Sequence, residues 1–368
     1  MTLVRQFEFH ARSCAALGSP LYSALLEEIS RDVGSGGPCA RVLDGYAHLP
    51  FAAALPLRLL GAVHALVLTG AAPELAGYYP SASTNGRRGA DDTVWHTDDN
   101  TVRHTDDNMV WHAFRQVVRD RPEEIRDRLA TPPQTNEVGR AVPLITGLLA
   151  AVDAMPLPIR LVELGSSAGL NLRADHFRWY ADGFEWGPPD SPVAIGAAWR
   201  GPVPAWLRDA ARRHPRPAVI ERRGCDPDPL DPLSPDGALA LRSYVWPDQP
   251  ERAARLDGAL RLAAQIPAEI STKGAAEFLA DLEPEPGTLT IVWHSVMRQY
   301  VPAGEWALVT GELERLAAAS RPDAGFAHIC FEPERGEPGE GFPLTVRIGS
   351  APPVLLARAA PHGVPAFA

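Results

Sequence analysis

The sequence predicts an α/β protein: a doubly wound, mostly parallel seven-stranded sheet preceded by an α-helical amino-terminal region. Three observations carry this reading. From Ile159 onward short apolar runs alternate with helical stretches, the pattern of a parallel sheet covered on both faces. Before Ile159 apolar residues recur at helical spacing instead. Between them, the run "LVELGSSAGLNL" at residues 161–172 passes from an apolar strand through an acid into small residues, as a strand-to-helix turn at a ligand site does.

In chain order, "SPLYSALLEEISRDV" reads as a helix that starts at Ser19 and Pro20, and "LPLRLLGAVHALVL" as a buried helix. Residues 81–108 read as an inserted polar loop, because they hold a near-exact tandem copy, "TVWHTDDN" then "TVRHTDDN", before "MVWHAF" begins a third. His96, Asp98, Asp99, His104, Asp106 and Asp107 are ligand-type residues, but a duplication with no supporting groups around it reads as a tolerated loop, so no metal is expected. Strands are expected at "IRLVEL", "AVIERRG", "AEIST", "LTIVW" and "GFAHICF", with "LTVRIG" and "VLLARA" as an antiparallel edge pair across "SAPP". Helices are expected at "AGLNLRADHFRWY", "PERAARLDGALRLAA" and "GEWALVTGELERLAAAS". The division is therefore residues 1–140, a helical lid-like region, and residues 141–368, a Rossmann-like domain with an insertion at about 181–217.

Composition narrows the partners. The formal charge of -10 comes from 35 basic and 45 acidic residues, with no Lys/Arg run to follow a phosphate backbone, so a small-molecule substrate is expected and nucleic acid is not. The longest apolar stretch, Phe51 to Leu68, contains Pro56, Arg58 and His64 and suits a buried helix rather than a membrane span. "MTLVRQFEFHAR" lacks the apolar core of a signal peptide. Cys14, Cys39, Cys225 and Cys330 lie far apart, without metal-type or disulfide-framework spacing, and a reducing cytoplasm fits them.

Chemistry is expected where the strands end. A dinucleotide wants three glycines and an unopposed helix N-terminus, and a phosphate loop wants Gly-Lys-Ser/Thr. Here Glu163 precedes Gly165, Ser166, Ser167 and Gly169; its carboxylate repels a pyrophosphate and attracts ammonium and sulfonium charge. The ligand that fits is S-adenosylmethionine, with the small residues admitting its methionine and ribose parts and Asn171 contacting it from the first turn. In "QTNEVGR", Asn136 is a cofactor contact or, with Thr135, a helix cap, while Arg140 can pair with a substrate carboxylate. In "HSVMRQY", His294 is either a general base or a strand cap, and Gln299 and Tyr300 orient substrate. Asp175 and Arg178 read as a solvated pair.

"PQTNEVGRA", "LVELGSSAGLNL", "RRGCDPDPLDP", "SYVWPDQPERAARL" and "IVWHSVMRQYVP" together resemble the blocks of the bacterial domain of unknown function 2332 family, over nearly the whole chain. That family's carboxyl-terminal part is similar to class I S-adenosylmethionine-dependent methyltransferases, and the resemblance implies that fold here. It also implies an acid that holds the ribose, for which Asp182 and Asp226 both qualify. The chain departs from the pattern at Ser167, which stands where the middle glycine is usual, and at Lys273, where an acid often faces adenine. The functional expectation is a methyltransferase acting on a small molecule; the alternatives are transfer of the aminocarboxypropyl group or another non-methyl use of the cofactor, and a non-enzymatic binding protein on the same fold.

Overall fold

Side-chain oxygens and prolines set where the first helices begin. Ser19 accepts the Tyr22 N–H at 3.3 Å and donates to Asp248 Oδ1 at 2.7 Å, and Pro20 occupies the first helical position. In the computed structural model, which describes residues 1–82, 100–334 and 340–368, the amino-terminal helices are α1 (Leu3–Ala16), α2 (Pro20–Gly34), α3 (Pro38–Val42), α4 (Leu55–Leu68), α5 (Pro73–Ala76), α6 (Asn100–Asp120) and α7 (Pro122–Leu129). α4 is buried on nearly all sides, Arg58 and His64 included, and is accordingly central, with Leu59, Leu60 and Val63 wholly buried in one cluster with Leu26, Ile29 and Phe114.

The chain forms two units, the first comprising residues 1–135 together with 239–253, the second residues 136–238 and 254–368. The excursion at 239–253 departs from the single boundary expected at residue 140. It is tied to the helical unit by His64 Nδ1 at 3.0 Å from the Ser243 carbonyl and by the Ser19–Asp248 bond. The ring of Tyr244 lies 2.7 Å from where a Cβ on Gly61 would fall, so α4 needs a glycine there. The first copy of the tandem repeat lies almost wholly outside the described residues, while Thr101 to Asn108 belongs to α6, so the polar segment read as a loop over 81–108 ends in helix.

The second unit contains α8 (Ala141–Ala154), β1 (Ile159–Leu164), β2 (Arg178–Ala181), β3 (Phe184–Trp186), β4 (Ala194–Ile195), α9 (Ala205–Arg213) and β5 (Val219–Asp226). The excursion takes in the end of α10 (Pro235–Ser243) and the start of α11 (Pro250–Ala263), and β6 (Glu269–Thr272), α12 (Ala275–Ala280), β7 (Thr288–Ser295), α13 (Ala303–Ala319), β8 (Ala324–Phe331), β9 (Phe342–Ile348), β10 (Val354–Ala359) and β11 (Ala366–Phe367) follow. The main sheet has eight strands in the order β11-β10-β9-β8-β7-β1-β5-β6, not the seven expected. All seven strands read from sequence are present; β11 is a two-residue addition that pairs with Arg358 and Ala359 and carries too little pattern to read. β6, β5, β1, β7 and β8 run parallel, and β9, β10 and β11 add an antiparallel edge.

Alternation along the strands assigns the two faces. Val162, Leu164, Val292 and Phe326 pack with Phe278 and Leu279 of α12 and Val309, Leu313 and Leu316 of α13. On the opposite face α8 lies against β8 so closely that Ile329 Cγ2 is 2.6 Å from a Cβ placed on Gly147. The insertion folds as a separate three-stranded sheet, β3-β2-β4, in which Trp179 and Trp186 face each other. The helix expected at "AGLNLRADHFRWY" is instead a 3₁₀ segment, Leu170–His176, followed by β2. The reason is local: the Arg173 guanidinium donates to the Gly169 carbonyl, and Phe177 and Trp179 are buried at a spacing of two. Asp175 pairs with Arg222 at 2.7 Å and Arg178 with Glu185 at 2.7 Å, so the expected Asp175–Arg178 pair is not formed. Among the described residues no helix is long and apolar enough to cross a membrane.

The tight crossing of α8 over β8 yields a test. Gly147→Val is expected to destabilise the protein by about 1–3 kcal/mol through overpacking against Ile329. A denaturant midpoint equal to that of the wild type would show that the crossing has slack.

Candidate functional site

The strand order reverses between β1 and β7: after β1 the chain adds β5 and β6 on one side, then β7 and β8 on the other. In doubly wound sheets the connections leaving the carboxyl ends of two such strands diverge, and ligands bind at that point. Glu163 sits at that point. In the parallel register it lies beside Trp293, whose indole Nε1 donates to Glu163 Oε1 at 3.0 Å. The other oxygen, Oε2, is buried and has no hydrogen-bond partner. Burial pushes the carboxyl up to about 8, against the opposing pull of the Trp293 bond and the Arg173 and Arg140 charges.

The turn after Glu163 is built from left-handed residues: Gly165 at φ +64°, Ser167 at +50° and Gly169 at +64°. Met297 Cβ lies 2.9 Å from where a Cβ on Gly165 would stand, so that glycine admits the loop after β7. Ser167 takes the conformation usually left to glycine, its N–H donating to Asp226 Oδ2 at 2.9 Å. Ser166 is wholly buried, with its N–H and hydroxyl both donating to the Cys225 carbonyl, so its side chain supports the turn from below.

Asn136 and Asn171 brace the same turn. Asn136 Oδ1 accepts the Leu170 N–H at 2.7 Å, which makes Asn136 a support of the turn and leaves the cap of the next segment to Glu137. Asn171 donates to the Glu137 carbonyl at 3.2 Å, and its own Oδ1, buried, has no partner. Asp226 ends β5 beside β1 and accepts the N–H groups of Ser167 and Asp228, one on each oxygen. Asp182 lies in the β2–β3 turn of the small sheet, so the acid next to the Gly-rich turn is Asp226. Lys273 is drawn to Glu277 of α12 at 3.5 Å and to Asp281, which caps the end of that helix, at 2.7 Å.

His294 does not face this site. It is the residue after Trp293 on an extended strand, so its ring points to the opposite face, where it is 0 % exposed, meets Trp306 of α13 edge-on and bonds Glu332. The general-base expectation is thereby replaced by a buried His294–Glu332 pair, Nδ1 to Oε1 at 2.8 Å. Glu332 Oε1 also accepts the N–H groups of Met297, at 3.1 Å, and Arg298, at 3.4 Å, which hold the loop carrying Gln299 and Tyr300. Gln299 and Tyr300 are exposed, and the Arg140 charge acts on both Tyr300 and Glu163. Arg140 Nε donates to the Pro361 carbonyl at 3.3 Å. Arg173, Trp293 and Glu332 were not singled out from the sequence: each is an ordinary core or surface letter until register places it. Among the described residues no group of three or more His, Cys, Asp or Glu is arranged to hold a metal ion.

These features define an α/β protein with a large, mostly parallel sheet and a buried acid at the reversal of its strand order. The chain belongs to the family described as "Uncharacterized protein conserved in bacteria (DUF2332)", which matches residues 4–367. Neither the curated proteins nor the solved structures contain a match to it.

The buried carboxyl makes stability depend on pH. Glu163 ionises at about 4.3 in the unfolded chain and at about 8 in the folded one. Between those values the folded state holds the extra proton, so this group's contribution falls as pH rises and levels off above 8. Glu163→Gln is expected to remove that slope, gaining on the order of a few kcal/mol over wild type between pH 5 and pH 8. Parallel pH–stability curves for the two proteins in urea would contradict it.

Proposed function

We propose that the protein is an S-adenosylmethionine-dependent transferase, a methyltransferase with a small-molecule acceptor. The observation that carries this reading is Glu163, a buried acid with one unpartnered oxygen at the carboxyl end of the central strand, followed by a turn of small residues. An unsatisfied acceptor in such a place calls for a donor from a ligand. Asn171 Oδ1 is a second buried acceptor close to the same turn, so the pair of acceptors suits a primary ammonium and not a phosphate.

In this reading Glu163 and Asn171 hold the amino group of the cofactor, Gly165, Ser167 and Gly169 give its methionine end close access to backbone, and Asp226 accepts the ribose hydroxyls on its remaining lone pairs. The cofactor supplies an activated methyl group on a sulfonium, a good leaving group. Strand order supports the assignment: β6-β5-β1-β7-β8 is the 3-2-1-4-5 arrangement of doubly wound nucleotide-binding sheets. Arg140, Gln299 and Tyr300 are the residues for the acceptor, with Arg140 suited to a carboxylate. With His294 turned away, alignment and exclusion of water carry the rate. Such a protein takes an acceptor that is already nucleophilic at neutral pH.

Titration calorimetry with S-adenosylmethionine and S-adenosylhomocysteine tests this. Both are expected to bind, with Glu163→Ala weakening affinity by tenfold or more, about 1.4 kcal/mol. Below pH 8 wild-type binding is expected to release a proton as Glu163 ionises against the ligand ammonium, seen as a dependence of the heat on buffer ionisation enthalpy. Unchanged affinity in Glu163→Ala sinks the assignment.

A further inference from the structure

Three of the four cysteines, Cys14, Cys39 and Cys225, are buried. Burial pushes the thiols of Cys14 and Cys225 up to about 12 and raises that of Cys39 further, which leaves them unreactive. Cys330 differs. It is partly exposed, near the carboxyl end of β8, and stands opposite His294 of β7 in the parallel register, on the same face of the sheet.

The group around it is polar and incompletely satisfied. His294 Nδ1 is 2.8 Å from Glu332 Oε1, and its ring stacks on His328 at 5.1 Å between centroids. His294 Nε2, His328 Nε2 and Glu332 Oε2 are all buried without hydrogen-bond partners. Three open polar atoms in one cluster are costly to keep, and neither core packing nor the Glu163 site uses them. Burial opposes charge on the His294 ring, but the Cys330 sulfur and the Glu332 carboxylate outweigh it and push the imidazole up to about 10. The sulfur therefore has beside it an imidazole whose charged form is favoured.

We propose that Cys330, flanked by His294 and Glu332, is a nucleophilic thiol at which this protein takes a small, soft electrophile. The arrangement is that of nucleophile, imidazole and orienting carboxylate. The remaining charges facing the group are few. His328 is held neutral by burial and by the neighbouring His294 and Arg347 charges; Arg347, from β9, is paired with Glu314 of α13; and Arg298 lies over the Trp306 ring. The proposal stands apart from the cofactor reading, since it involves the opposite face of the sheet.

Iodoacetamide is a suitable probe. The sulfur of ionised Cys330 forms the new S–C bond as the C–I bond breaks; iodide leaves with the bonding pair, the thiol proton having passed to solvent and the imidazolium balancing the sulfur charge. The native full-length protein is labelled at pH 7 without cofactor and the sites are read by peptide mass mapping. Cys330 is expected to react first and about tenfold or more faster than the cysteines of the urea-unfolded chain, and His294→Gln to lose that advantage. Labelling of Cys330 no faster than in the unfolded chain, or after any other cysteine, overturns the proposal. If His294→Gln does not fold, the wild-type rate–pH profile decides: a midpoint below the ordinary thiol value of about 8.5 supports the proposal, and one at or above it overturns it.

Discussion

A carboxyl group kept out of water at the end of the central strand is the constraint around which the sheet domain is arranged. β1 is buried along all six of its residues, so Glu163 is almost wholly withdrawn from water and its ionised form is penalised. The surroundings answer that penalty only in part. Trp293 satisfies one oxygen, Arg173 and Arg140 contribute charge, and the second oxygen is left open at a cost of about 1–3 kcal/mol. A fold retains such a deficit where a ligand can repay it, and this one retains it at the reversal of strand order.

The turn that follows is braced by hydrogen bonds from several segments. Nearly every polar side chain in it is committed to a backbone group of another segment: Asn136 to Leu170, Asn171 to Glu137, Asp226 to Ser167, and Ser166 to Cys225. Glu332 does the same for Met297 and Arg298, and Met297 in turn closes over Gly165. Five stretches far apart in sequence are thereby held in one geometry. What they leave open is two buried acceptor atoms, Glu163 Oε2 and Asn171 Oδ1.

The sheet also separates two chemistries. Trp293 and His294 are adjacent in sequence and face opposite sides. One face carries Glu163 and its site; the other carries the cluster of His294, His328, Cys330 and Glu332 beside α13. Both are strained electrostatically, the first by an acid kept neutral, the second by an imidazole kept charged. Glu332 links them, because the carboxylate that holds His294 also pins the loop bearing Gln299 and Tyr300.

Local pattern determined much of this protein. The Ser19–Pro20 helix start, the seven longer strands of the main sheet and the small-residue turn after Glu163 follow from capping, apolar runs and backbone freedom, which act within a few residues. Tertiary structure alone decided the rest. "LTIVWH" is apolar throughout because β7 is buried on both faces, so no alternation marks which side His294 takes, and only the register with β1 and β8 settles it. β11 depends on two residues finding an edge, and the return of residues 239–253 to the helical unit on Ser19 and His64. Glu332 is one acid among 45 until β8 carries it to His294. Contacts between residues distant in sequence leave no local trace, and they are what made His294, readable as a general base or a strand cap, the buried partner of Glu332.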